Sequence, residues 1–327
     1  MPFENTHLFL ADKVLQSLQN DDLNRILRGY LDYYYLGSIF PDTLFYARDD
    51  KLSQVAFRLH GDDGQPTNRF VFDVLDRVRE HGCLRDLAFA AGFLTHCAAD
   101  ITFHPLVFYI SGYMPDASEK IKQRTSFLHW QYETLIDQLL NDRFRFEELV
   151  QPSLVRELAA SDALGVETDT LIRHLEKQRG YFLKIRSRFY YHVFRVLSRL
   201  GLVPPESVAG FYKSLYKGDI SLPERIPFRD VVSGEERETS LDDLSEQSVD
   251  LGGRLVVAAN DYFTGNIGRQ ECKAIMKGES LHTGTRGKTL MDVRHAASFS
   301  VSSRYNAFSW LIQMSIRVSS GFGGCVM

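Results

Sequence analysis

Three residues in the stretch HCAADITFH, His96, Asp100 and His104, are of the types that bind metal ions. Their spacing is i, i+4 and i+8, so in a helix they form one row along a single face. With a rise of about 1.5 Å per residue, neighbours in the row stand roughly 6 Å apart along the axis and the two ends about 12 Å apart. Neighbours can share an ion; the ends can hardly do so. If all three are ligands, the row predicts more than one metal, with Asp100 placed to bridge and His104 serving a separate ion. His129 and Glu133, again at i and i+4, supply an N/O pair to complete the His104 ion. Imidazole and carboxylate without thiolate suit zinc, with manganese or iron open on ligand type alone.

Chance has to be weighed against this pattern. With 42 acidic residues in 327 and ten histidines, about one His-x-x-x-Asp/Glu pair is expected by accident. Two pairs therefore say little, and the rarer triple His-x-x-x-Asp-x-x-x-His says more. Spacing alone leaves open the alternative of a hydrogen-bonded polar cluster on a core-facing helix.

The elements that must position these residues read as helices. A first helix over HLFLADKVLQSLQN puts Leu8, Ala11, Val14, Leu15 and Leu18 on one stripe, and a second runs from Asp21 or Asp22 to a stop at Gly37, ahead of Pro41. Asp42 then lies on an irregular stretch. A helix around NRFVFDVLDRVREHG leads into the Ala-rich helix of the row, which Pro105 should end or kink. His129 and Glu133 share the next helix, and a long helical run extends from Asp169 to Leu200. Residues 218–240 read as a loop or insertion, followed by a helix capped by Ser240. The prediction is an all-α, multi-helix single domain over 1–280, with a weakly ordered tail over 281–327.

Composition narrows the partners. A formal net charge of -4 provides no global field for nucleic acid or anionic lipid. The longest apolar windows, such as LAFAAGFL, fall far short of the roughly 18 to 20 residues of a membrane span, so no transmembrane segment is predicted. The start, MPFENTHLFLADKV, has no basic region ahead of an apolar one, which predicts a cytoplasmic protein. Cys83, Cys97, Cys272 and Cys325 lie far apart without CxxC spacing, so neither a disulfide framework nor a cysteine metal site is expected.

Taken in chain order, His7, the Pro41-Asp42 pair, His60 ahead of GDDG, His96-x-x-x-Asp100-x-x-x-His104 and His129-x-x-x-Glu133 resemble the zinc-dependent phospholipase C and P1/S1 nuclease superfamily. GSIFPD and GFLTHCAADITFHP look particularly like its phospholipase C branch. The resemblance covers about residues 5–135. It implies that Asp42, His60, His96 and Asp100 hold one zinc and that His104, His129 and Glu133 hold a second. It further implies that Asp100 bridges to a third, completed by His7 and the chain's N-terminal amine. In the family that amine usually belongs to Trp, whereas this chain begins Met1-Pro2, so removal of Met1 would leave the amine at Pro2.

The implied function is zinc-dependent hydrolysis of phosphate esters, of the phospholipase C type, by a metal-bound hydroxide supported by two to three zinc ions. A phospholipid or another phosphodiester is the substrate, and Asp42 is either the base for the attacking water or purely a ligand. The alternatives are a P1/S1-type single-strand nuclease, for which nucleic acid would be the substrate, and a non-catalytic zinc-binding domain. His81, His174, His192, His282 and His295 fit no ligand spacing and read as surface or packing histidines. The basic face of Lys184, Arg186, Arg188, Arg195 and Arg199 reads as a solvated helix face, and the aromatics around Pro41-Asp42 read mostly as core.

Overall fold

The computed structural model describes residues 4–47, 50–140, 143–203, 208, 211 and 222–297. Helices follow in the order α1 (Glu4–Ser17), α2 (Asp21–Gly29), α3 (Leu31–Ile39), a 3-10 turn (Phe40–Tyr46), α4 (Asp50–Leu59), α5 (Arg69–His81), α6 (Leu84–Ser111) and α7 (Glu119–Leu140). There follow α8 (Phe146–Leu149), a 3-10 turn (Pro152–Glu157), α9 (Ala160–Leu164), α10 (Thr168–Ile185) and α11 (Arg188–Arg199). A hairpin of β1 (Ile226–Arg229) and β2 (Glu236–Thr239) precedes α12 (Leu241–Thr264) and α13 (Arg269–Ile275). The fold is all-α apart from that hairpin, and among the described residues no helix is long and apolar enough to cross a membrane.

Helix α6 is the axis of the molecule. It is buried on all sides along most of its length and is enclosed by α1, α3, α5, α7 and α12, as expected of a helix without a solvated face. Two glycines set its closest packing. A Cβ at Gly92 of α6 would stand 1.9 Å from the Tyr34 carbonyl oxygen, and one at Gly37 of α3 would stand 2.1 Å from the Phe89 carbonyl oxygen. The two backbones touch because neither glycine carries a side chain. Gly37 is therefore a contact residue and not the helix stop read from the sequence, and α3 continues to Ile39. The expected single helix from Asp21 breaks instead at Tyr30, whose φ of -124° and ψ of 40° are not helical.

Pro105 does not end α6, which runs on to Ser111. Its missing N–H leaves the Ile101 carbonyl without its helical partner. Gly284 packs there: at φ +66°, a Cβ on it would lie 2.8 Å from Ile101 O and 3.1 Å from Pro105 Cγ.

Part of the stretch 218–240 is ordered as a hairpin, with Ile226 facing Thr239 and Arg229 facing Glu236. Ile226 and Phe228 alternate into the core, and the Asp230 carboxylate accepts from the Val232 and Ser233 amides to make the turn. Four-residue strands are too short for alternation to be legible in sequence. Ser240 caps α12 with a reciprocal bond to Asp243. Within the stretch expected as a tail, residues 281–297 pack onto the body: Leu281 and Val293 are fully buried, Arg294 N–H donates to Val231 O and Ala297 N–H to Tyr109 O. Residues 298–327 lie outside the described residues. On α11 the basic side chains Arg188, Arg195 and Arg199 are exposed, and so is Phe189.

Candidate metal centre

Five elements bring the eight singled-out residues to one buried place. Asp42 lies on the 3-10 turn after α3, just after Pro41 at the second position of that turn, and His60 lies directly after α4. His96, Asp100 and His104 stand on α6, His129 and Glu133 on α7, and His7 on α1. His60, His96, Asp100 and His104 are fully inaccessible to solvent, and His7 and Asp42 nearly so.

Asp42, His60, His96 and Asp100 form one group, and His104, His129 and Glu133 form another; within each, the potential ligand atoms lie within 4.8 Å of one another. In the first group His60 Nε2 is 3.1 Å from Asp42 Oδ1 and 3.5 Å from Asp100 Oδ2, while His96 Nε2 is 3.1 Å from Asp100 Oδ2. In the second, Glu133 Oε1 is 2.7 Å from His129 Nε2 and 3.8 Å from His104 Nε2. Asp100 stands between the groups, its Oδ1 3.8 Å from His104 Nε2 and 3.5 Å from His7 Nε2. His7 lies beside the first group, stacked on His96 with ring centres 3.9 Å apart. Met1 and Pro2, whose amine the resemblance implies for a third site, lie outside the described residues.

The imidazoles are held from behind. His60 donates from Nδ1 to Ala56 O (2.7 Å), His96 to Ser38 O (3.0 Å) and His104 to Leu281 O (2.5 Å). A carbonyl can only accept, so each Nδ1 carries a proton and Nε2 is the ring atom that faces the carboxylates. His7 Nδ1 and Nε2, Asp42 Oδ2, His96 Nε2, both Asp100 oxygens and His104 Nε2 make no hydrogen bond among the described residues. Buried polar atoms left so cost about 1–3 kcal/mol each. Their convergence is what a cation would satisfy.

Burial holds His104 and His129 well below the ordinary histidine range. Burial, reinforced by His96, lowers His7 to about 3. For His96, burial is outweighed by the Asp100 and Asp42 carboxylates, which raise it. Burial would raise Asp100, but His104 and His96 hold it well below the usual carboxylate range. Imidazoles facing carboxylates form a donor set suited to zinc.

Sequence spacing singled out neither of two neighbours. Glu4, one turn before His7, accepts from Tyr46 Oη and Gln178 Nε2 (2.7 Å each), and burial together with Asp42 pushes its carboxyl up to about 7. His282, read as a packing histidine, stacks on His60 with ring centres 5.2 Å apart. Both depend on contacts made only in the folded chain, which spacing within one helix does not encode.

The start of α1 is pinned by Asp137 of α7, which accepts from Thr6 Oγ1 (2.9 Å) and Asn5 Nδ2 (3.2 Å), while Asn5 Oδ1 accepts from Phe146 N–H (2.8 Å). Asp137→Ala is expected to cost about 2 kcal/mol, the scale of buried hydrogen bonds to a charged group. Urea unfolding measures this, and an unchanged midpoint would mean that α1 docks without the clamp.

A family model described as zinc dependent phospholipase C matches residues 6–183, a span that includes all eight of these positions. None of the curated proteins and none of the solved structures matches the chain.

Proposed function

The chain belongs to the zinc-dependent phospholipase C family, and from that premise we propose that it is a zinc-dependent phosphoric ester hydrolase that cleaves a phosphodiester on the glycerol side of phosphate. Asp42, His60, His96 and Asp100 would hold one ion, and His104, His129 and Glu133 a second. Asp100 and His7 would contribute to a third. The observation that carries the reading is the set of buried, unbonded Nε2 and carboxylate atoms on His7, Asp42, His96, Asp100 and His104, which no all-protein hydrogen-bond network explains.

When bound, zinc supplies Lewis acidity, which lowers the pKa of water toward about 7 and draws charge from phosphoryl oxygens. The chain's own part is positioning. Asp42 Oδ1 is engaged by His60 at 3.1 Å, while Oδ2 is unbonded; that oxygen is the atom assigned to orient the attacking water and take its proton. The Ala56, Ser38 and Leu281 carbonyls fix the rings, so the donor atoms are set before substrate arrives. Burial of the donors excludes competing water.

Purified protein is expected to carry about two to three zinc ions per chain, the nuclearity of a site built to clamp both the attacking and the leaving oxygen. Zinc-loaded protein should hydrolyse phosphatidylcholine or a soluble nitrophenyl choline phosphate in preference to single-stranded DNA. Preference for DNA would replace the proposal with the nuclease reading. Less than about one zinc per chain, with no hydrolysis after zinc addition, would overturn it.

A further inference from the structure

Helix α11 lies beyond the family match, which ends at residue 183, and its outer side is not the plain solvated face expected from the sequence. Helical spacing sorts its residues into three stripes. Tyr191 and Phe194 face inward, each packed on Phe211 with ring centres 5.6 and 5.8 Å away. Arg188, His192, Arg195 and Arg199, at i, i+4, i+7 and i+11, form an exposed basic stripe. One residue further on, Phe189, Val193, Val196 and Leu200 repeat the same spacing as an apolar stripe alongside it. Phe189, Val196 and Leu200 are 70, 53 and 66% exposed, and most of the large hydrophobic side chains left exposed among the described residues lie between Leu183 and Leu202. Such a concentration marks an interaction surface, where scattered single exposures would not.

The charge on this face is uncompensated. Helix α11 contains no acidic residue. Arg186, before the helix, turns inward to Glu147 Oε1 at 2.9 Å, whereas Arg188, Arg195 and Arg199 have no carboxylate partner among the described residues.

We propose that the outer side of α11 is a docking surface for an anionic phospholipid bilayer, with the helix lying in the plane of the interface. Adjoining stripes suit a flat boundary between two media. The apolar stripe enters between headgroups and acyl chains, and the guanidinium groups beside it meet lipid phosphates at headgroup level. A polynucleotide would use the arginines and Phe189, but it gives no reason to leave Val196, Leu200 and Leu202 in water. A second copy docking through the same face would set arginine against arginine, with no carboxylate on α11 to offset them. Helix α10 ties this face to the metal centre: Gln178 Oε1 accepts from Thr43 Oγ1 (3.1 Å) beside Asp42, and Tyr181 packs on Tyr46 with ring centres 5.7 Å apart. Docking would thus hold the centre at the surface that carries the substrate proposed above, while binding itself does not require that activity.

The test uses full-length protein and sedimentation with vesicles of phosphatidylcholine alone or mixed with phosphatidylglycerol. Wild-type protein is expected to bind the mixed vesicles, and less so as salt rises. Arg195→Ala combined with Arg199→Ala should weaken that binding by about 25-fold, near fivefold for each charge. Phe189→Ser combined with Leu200→Ser should weaken it by about 10-fold or more. Both double variants should keep the wild-type circular dichroism and the wild-type rate on soluble nitrophenyl choline phosphate. Phe189→Trp should add emission that moves to the blue when mixed vesicles are supplied. Wild-type protein that leaves the mixed vesicles unbound, or double variants that bind them as well as wild type, would overturn the inference. So would self-association abolished by Phe189→Ser with Leu200→Ser, or a single-stranded oligonucleotide held by the arginines, in protein that ignores vesicles. Vesicle binding through α11 in protein that holds no zinc and hydrolyses nothing would sustain this inference and overturn only the hydrolase reading.

Discussion

Asp100→Ala is expected to lower phosphodiester hydrolysis by at least about a thousandfold, equivalent to roughly 4 kcal/mol of transition-state stabilisation, and to remove more than one zinc ion from the protein. The reason is position. Asp100 Oδ2 faces His60 and His96 while Oδ1 faces His7 and His104, so a single carboxylate serves every part of the cluster. Removing it leaves His104 with Glu133 alone as its carboxylate neighbour among the described residues, and leaves His96 and His60 with Asp42. Elemental analysis and activity on a soluble phosphodiester measure both effects, with circular dichroism confirming that the helices persist. Asp100→Asn should fall to a similar level, because an amide keeps the volume but not the charge. Loss of only one ion, with activity within about tenfold of wild type, would remove Asp100 from its bridging role.

The second large effect is structural. Gly92→Ala is expected to destabilise the protein by at least about 3 kcal/mol, the upper part of the range for overpacking, because its Cβ would stand 1.9 Å from a backbone oxygen that no rotamer change can move. Helices α3 and α6 would have to separate. Ser38, one residue after Gly37, supplies the carbonyl that holds His96, so the same substitution should weaken zinc binding without touching a ligand. Gly180→Ala is the control. That helical glycine has nothing within 4 Å of an added Cβ, and alanine there should stabilise by roughly 0.5–1 kcal/mol. Thermal unfolding of the two variants should move in opposite directions, and a neutral Gly92→Ala would refute the close crossing.

The helical class and the chemical character of the row on α6 were legible because both rest on short-range periodicity. His96, Asp100 and His104 share a face at i, i+4 and i+8 whatever the helix packs against. The glycine crossing was not legible, since Gly37 looks like a helix stop until a second backbone occupies the space of its missing side chain. The break at Tyr30 escaped because no proline or glycine cluster announces it beyond the lone Gly29. The hairpin was hidden by strand length, with only Ile226 and Phe228 marking its inner face. His282 and Asp62, whose side chains meet at 2.8 Å, are 220 residues apart, and no pattern within one element could relate them.

The hold of the Leu281 carbonyl on His104 also sets an order of events during synthesis. The His104–Leu281 bond spans 177 residues, so it is among the contacts of greatest sequence separation and greatest loop-closure cost in the chain. A nascent chain emerging N-terminus first exposes the α6 row long before the segment that fixes His104 has left the ribosome. The helices can gather around α6 during that interval, but His104 is not yet locked in its final tautomer and orientation. Tight metal capture therefore belongs to the end of folding, as the step that seals a nearly finished body.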